Sequence, residues 1–245
     1  MVLVIMITGV FPVSARECGV NASVDTRDTG IGLLYVKYSS SNDKRIKLRI
    51  QKDNEEYIYN LRSDGISESF SLQMGNGEYT VGILENIEGN RYKYVLKENI
   101  NVRLADDNLV YLNSIQNVMW DDSMEVVRKA RELTRDISGD MQKVEAMYNY
   151  VIGELSYDFE KLDKLSYDYL PDIEATFQER KGICYDYASL FAAMLRSTGV
   201  PSKLVKGYAE GIKGYHSWNE VYIESEDRWL IIDTTYDSQM KKAGK

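Results

Sequence analysis

Between Ile183 and Ser197 the side chains Ile183, Tyr187, Leu190, Met194 and Ser197 recur at three- and four-residue spacing, and Gly199 and Pro201 stop the run. That pattern predicts a helix with one buried face, ended by residues that cannot continue it. Beyond Pro201 the period drops to two. Lys203 to Ala209 reads as a strand, Glu210-Gly211-Ile212-Lys213-Gly214 as a glycine-bounded loop, and Tyr215 to Ile223 and Trp229 to Tyr236 as two more strands. Upstream, Asp122-Ser123-Met124-Glu125 resembles a capped helix start, and Val127, Ala130, Leu133 and Ile137 make an apolar face. Val144, Met147, Tyr148, Val151 and Leu155 make another. Asp172 to Arg180 reads as a short helix, and polar Lys161 to Leu170 as a loop bordering a cleft. This half of the chain is therefore expected to be α+β, helices packed on an antiparallel sheet.

Three residues of complementary chemistry fall on these elements. Cys184 opens the helix, where unpaired backbone N–H groups and the positive end of the macrodipole favour a thiolate, so a lowered thiol pKa is expected. Gly182 just before it is expected to allow a sharp turn and close approach of substrate. His216, the only histidine, shares a strand face with Trp218, Glu220 and Tyr222. Asp233 follows Leu230-Ile231-Ile232, an unusual place for a carboxylate. A tight turn at Glu224-Ser225 would set Asp233 opposite His216, and a turn at Glu226-Asp227 would set it opposite Glu220. Taken singly, each residue has an ordinary reading: a buried structural cysteine, a polar strand residue, a cap. Together they supply a nucleophile, a base that later protonates the leaving amine, and a carboxylate that fixes the imidazole tautomer. The backbone N–H of Cys184 is a natural first oxyanion donor. Gln178 is one candidate for the second, and Trp218 is a candidate wall of an amide-binding cleft.

The segments Gly182-Ile183-Cys184-Tyr185-Asp186-Tyr187-Ala188, His216-Ser217-Trp218-Asn219-Glu220-Val221 and Trp229-Leu230-Ile231-Ile232-Asp233-Thr234-Thr235 resemble the transglutaminase-like core. The resemblance covers about residues 122–237. It implies a papain-like fold with Cys184 as nucleophile, His216 as general base and acid, and Asp233 as orienting carboxylate. It also implies acylation of the cysteine by an amide, followed by transfer to an amine or to water. Tyr157 falls where such cores often carry an aromatic residue, which makes it the other candidate oxyanion donor.

Residues 21–105 change character. Ile31 to Tyr38, Arg45 to Gln51, Glu56 to Leu61, Glu68 to Leu72, Tyr79 to Glu85 and Arg91 to Glu98 are short strand-like runs parted by turn clusters. They are expected to form an all-β, immunoglobulin-like sandwich with no chemistry of its own. Residues 106–245 are assigned to the transglutaminase-like domain, with a strand-like Leu109 to Leu112 in the connector. Residues 1–20 are read as a signal-like segment and linker. Met1 to Phe11 is almost wholly apolar, the length of a secretory h-region, and Val13-Ser14-Ala15 suits a signal peptidase. The run is too short for a comfortable membrane span, and Glu17 before Cys18 does not fit a lipoprotein cleavage box. A secreted or cell-surface protein is expected.

One histidine and two distant cysteines do not make a zinc pattern, so neither metal nor cofactor is expected. A Cys18–Cys184 disulfide would consume the nucleophile. A formal charge of −8, from 30 Lys and Arg against 38 Asp and Glu without a basic run, disfavours nucleic acid as a partner. The expected partner is a protein or peptide substrate, with cell-wall peptide among the classes. Hydrolysis is preferred to cross-linking, because water is always present and no amine-admitting, water-excluding site is legible. The alternatives are a protein-glutamine transglutaminase and a non-catalytic scaffold that keeps the fold.

Overall fold

The structure is a computed structural model that describes residues 6–7 and 21–244 of the chain. The leader-like segment apart from Met6–Ile7, and Cys18 with the disfavoured disulfide to Cys184, lie outside the described residues. Residues up to Val110 make one compact unit and those from Tyr111 another.

The first unit is β-rich. Strands β1 (Met6–Ile7), β2 (Asn21–Asp25), β3 (Leu33–Ser39), β4 (Ile46–Lys52), β5 (Glu55–Leu61), β6 (Glu68–Ser71), β7 (Gly77–Glu88) and β8 (Arg91–Val102) form two sheets, ordered β1-β8-β7-β4-β5 and β2-β3-β6. All pairings are antiparallel except β1 with β8. Alternating residues of the central strands, among them Leu34, Val36, Leu48, Ile50, Val81 and Ile83, are fully buried, each contributing about 1.5–3 kcal/mol. The sheets meet where Tyr59 packs on Phe70 at 5.0 Å between centroids and where Tyr38 donates to Glu85. Strand β2 was not legible in the sequence, because Asn-Ala-Ser-Val-Asp is polar and only partly covered. The expected strand at Leu109 to Leu112 is instead a 3₁₀ turn.

The second unit contains α1 (Glu125–Thr134), α2 (Asp140–Glu154), β9 (Ser156–Tyr157), α3 (Phe159–Leu162), α4 (Ile173–Glu179), β10 (Lys181–Gly182), α5 (Cys184–Arg196), β11 (Ser202–Gly207), β12 (His216–Ile223), β13 (Arg228–Ile232) and α6 (Thr234–Lys242). Strands β11, β12 and β13 form an antiparallel sheet in that order. Helix α5 packs on β11 and β12 and also touches α1, α2, α4 and α6. Every α5 residue except Tyr185 is buried, so the one-faced helix read from periodicity is in fact the central helix of the unit. Its surroundings are mostly apolar, and some of the buried polar side chains there bond to backbone. Asn219 donates to the carbonyls of Ala188 (2.9 Å) and Lys203 (3.2 Å), tying β12 to the helix.

Two local expectations are corrected. The α1 start is not capped by Asp122 or Ser123; Met124 holds the N-cap position with no side-chain bond, and Glu174 of α4 accepts from the N–H groups of Glu125 and Val126. The last strand ends at Ile232, and Thr234 to Lys242 is helix. Helix α6 is tied to the end of α2, since Tyr148 donates to Asp237 (3.0 Å) and Lys242 to the Leu155 carbonyl (2.7 Å). No helix among the described residues is long and apolar enough to cross a membrane.

Arg196 closes the far end of α5. Its guanidinium, 4% exposed, donates to the carbonyls of Ser202 and Asn113, while burial without a carboxylate partner lowers its pKa. Arg196→Met should cost about 3 kcal/mol, because buried carbonyls lose charged donors. Denaturant unfolding checks this, and a cost below about 0.5 kcal/mol would mean that the lock is dispensable.

Candidate active site

Cys184 stands at the first helical position of α5, following Ile183 in extended conformation, with 9% of its surface exposed and its thiol free. Asp186, one turn in, accepts the Ile183 N–H at 2.9 Å, the acid-at-N3 half of a capping box. This explains Gly182 differently from the sequence reading. A Cβ there would meet the Asp186 Cβ at 2.6 Å and Oδ2 at 3.0 Å, so glycine makes room for the cap.

His216 is the first residue of β12 and is 7% exposed. Its Nε2 lies 2.7 Å from Asp233 Oδ2. Neither predicted register is the one formed. The turn is a 3₁₀ turn at Glu224–Glu226 closed by Asp227 at φ 47°, and the ladder pairs Asn219 with Ile232. Asp233 lies beyond the ladder as the N-cap of α6, where Oδ1 accepts the Tyr236 N–H at 3.0 Å. One carboxylate thus caps a helix with one oxygen and holds the imidazole with the other. The cap reading of Asp233 is the one seen here, and the same side chain also contacts His216.

The imidazole pKa is pushed up to about 9, first by the hydrogen bond to Asp233, then by one to Cys184, with burial acting in opposition. With Nε2 taken by Asp233, Nδ1 is the nitrogen left for sulfur. The ring is backed by Trp218, stacked at 6.3 Å and 21°. The Trp218 edge rests on Gly207, where a Cβ would come within 3.3 Å. Trp218 therefore supports the imidazole from behind and is not among the residues lining the cleft.

Tyr157 is delivered by a two-residue parallel bridge, in which Gly182 pairs with Tyr157 and Asp158 donates to the Gly182 carbonyl at 2.9 Å. Burial, then the charges of Cys184 and Asp186, push its phenol up to about 12, and a hydrogen bond with the Cys184 backbone N–H partly offsets this. Its hydroxyl is therefore a proton donor throughout the neutral range, beside the helix N–H. Gln178 is not brought to the site. It is exposed on α4 and bonded to Glu174.

A cleft of about 400 Å³ opens at Cys184, His216 and Tyr157. Phe159 and Leu162 of α3 form part of its lining, with Ile212, Lys213 and Tyr215 of the 211–215 loop. Gly211 and Gly214 hold φ of 78° and 96°, the left-handed region that glycine alone adopts readily. Tyr236, Gln239 and Met240 of α6 complete it. Sequence reasoning missed these, since the lining comes from separate segments with no shared period. Asp186 had a readable signal, an acid two residues after the cysteine at helix position N3. Among the described residues no group of His, Cys, Asp or Glu is placed to hold a metal.

Residues 127–234 match the family model described as the transglutaminase-like superfamily. The human kyphoscoliosis peptidase is 31% identical over 121 residues, covering 44% of this chain and 17% of that protein. Uncharacterized protein YebA of Bacillus subtilis is 29% identical over 192 residues, covering 69% of this chain and 25% of that protein. The protein-glutamine gamma-glutamyltransferase of Pseudomonas aeruginosa is 36% identical over 72 residues, covering 24% and 11%. The chain thus spans a quarter or less of the length of these relatives.

The raised imidazole pKa fixes a pH dependence. The stabilisation is fully present below the ordinary value of 6.5 and is lost as pH rises through about 9. Asp233→Asn keeps a cap acceptor while removing the charge. The melting-temperature gap between wild type and Asp233→Asn should therefore be widest near pH 6 and close toward pH 10. A gap constant across that range contradicts the pairing.

Proposed function

From the premise that this chain belongs, over residues 127–234, to the transglutaminase-like superfamily, we propose that it is a thiol enzyme cleaving peptide-type amides through Cys184, His216 and Asp233. The observation that carries this reading is the 2.7 Å contact of His216 with Asp233 on an imidazole that also engages the Cys184 thiol, at the floor of an open cleft. Asp233 favours the imidazolium, so His216 takes the proton of the thiol that it engages. The thiolate attacks the amide carbonyl, and the oxyanion is received by the Tyr157 hydroxyl, which the Cys184 N–H supports by donating to it. His216 then gives its proton to the leaving amine, which leaves an acyl-thioester on Cys184. Water, deprotonated by the neutral imidazole, attacks that thioester, and the thiolate departs as the acid is released.

Water is the preferred acceptor, since the cleft is open and exposed Phe159, Tyr215 and Tyr236 leave it accessible to solvent. Transfer to an amine is the second reading, supported by the likeness to the Pseudomonas aeruginosa glutamyltransferase. The apolar Met1 to Phe11 supports work outside the cytoplasm, where cell-wall peptides and proteins are the available amides.

Iodoacetamide alkylation of Cys184, followed by intact mass at pH 6 and 7.5, tests the reading. Wild type should react about 100-fold faster than His216→Ala, with Asp233→Asn in between. Equal rates in all three would leave an ordinary buried thiol. Glutamine peptides and cell-wall digests offered with a labelled amine then decide the acceptor. Hydrolysis predicts a gain of one water in the cleaved products without label, and incorporated label overturns that preference.

A further inference from the structure

One side of the cleft is fastened to the catalytic helix itself. Asp186, two residues after Cys184, is wholly buried. Besides capping Ile183, its carboxylate accepts Lys161 Nζ at 2.8 Å and the Tyr169 hydroxyl. The Lys161 ammonium lies 4.8 Å from the Tyr169 ring centroid, and Tyr169 stands edge-on to Tyr185. Lys161 belongs to α3, a four-residue helix far too short to persist alone. Its ties include Asp158, which accepts the Lys161 N–H, the bond from Lys161 to Asp186, and the Phe159 ring on that of Tyr157 at 4.8 Å between centroids.

What these ties hold out is apolar. Phe159 is 66% and Leu162 45% exposed, and both line the cleft beside the thiol. Tyr215 and Tyr236, 61% and 47% exposed, line it too. Large apolar side chains held open around a reactive group are unfavourable in water and mark a place where a ligand covers them. Lys213 is the one lysine or arginine among the residues lining the cleft, and no carboxylate lines it. This local sign is opposite to the −8 of the whole chain.

We propose that Asp186, Lys161 and Tyr169 are positioning residues that hold an apolar subsite, formed by Phe159 and Leu162, for a large apolar or aromatic side chain of the peptide substrate. That side chain flanks the scissile amide, on a segment carrying acidic rather than basic neighbours, which Lys213 favours. The subsite rests on the thiol-enzyme reading above and adds the substrate class to it.

Peptidyl chloromethyl ketones test this without knowledge of the natural substrate, because they alkylate the thiol in proportion to how well their side chains are seated. Reagents with Phe, Leu or Ser flanking the ketone-bearing residue, and Glu or Lys one position beyond, are compared by the alkylation rate of Cys184. Each rate is divided by the iodoacetamide rate of the same variant. Phe and Leu should exceed Ser by about tenfold, and Glu should exceed Lys. Phe159→Ser and Lys161→Met should each remove most of the Phe over Ser preference, Lys161→Arg should restore it, and Lys213→Glu should reverse the Glu over Lys preference. Fast iodoacetamide alkylation with equal rates for Phe, Leu and Ser, or a preference untouched by Lys161→Met and Phe159→Ser, overturns the subsite. Slow, ordinary iodoacetamide alkylation overturns the thiol-enzyme reading itself, and the subsite with it.

Discussion

The site in this protein depends on one carboxylate placed at a chain reversal. Asp233 lies between the end of β13 at Ile232 and the start of α6 at Thr234, so its backbone is fixed by a sheet on one side and a helix on the other. Its two oxygens divide the work, one taking the Tyr236 N–H and the other His216 Nε2. A cap that is itself half of an ion pair is rigid in a way that a free strand residue is not. That rigidity fixes which imidazole nitrogen remains for the sulfur.

The sulfur is fixed from the other side by a helix that has no exposed face to yield. With all of α5 but Tyr185 buried, Cys184 cannot move without disturbing the packing of the whole second unit. Buried polar groups brace the helix along its length and at both ends. Asn219 ties the helix backbone to the histidine strand, Asp186 holds the first turn, and Arg196 locks the last. The α5–β12 contact is therefore both the core of the unit and the base of the candidate site.

That Cys184, His216 and Asp233 belong together was legible in the sequence, because each sits in a distinctive local pattern. Their geometry was not. Both anticipated registers assumed that Asp233 lies within the ladder, whereas a 3₁₀ turn at Glu224–Glu226 sets an intermediate pairing and leaves Asp233 past its end. Thr234, Thr235 and Tyr236 favour strands by propensity, yet Asp233 as a cap and Lys241 and Lys242 in the last turn favour helix. Packing of α6 on α2 decided the outcome. Gln178 sits on α4, bonded to Glu174, away from the cleft lining. The cleft wall was invisible because Phe159, Lys213 and Met240 meet through tertiary structure alone.

The chain has a single histidine, so its imidazole can be watched directly by NMR titration of untagged protein, with no assignment problem. The account predicts a midpoint near 9 in wild type, falling toward the ordinary range of about 6.5 in Asp233→Asn and by a smaller amount in Cys184→Ala. A wild-type midpoint near 6.5 that neither substitution moves would contradict it.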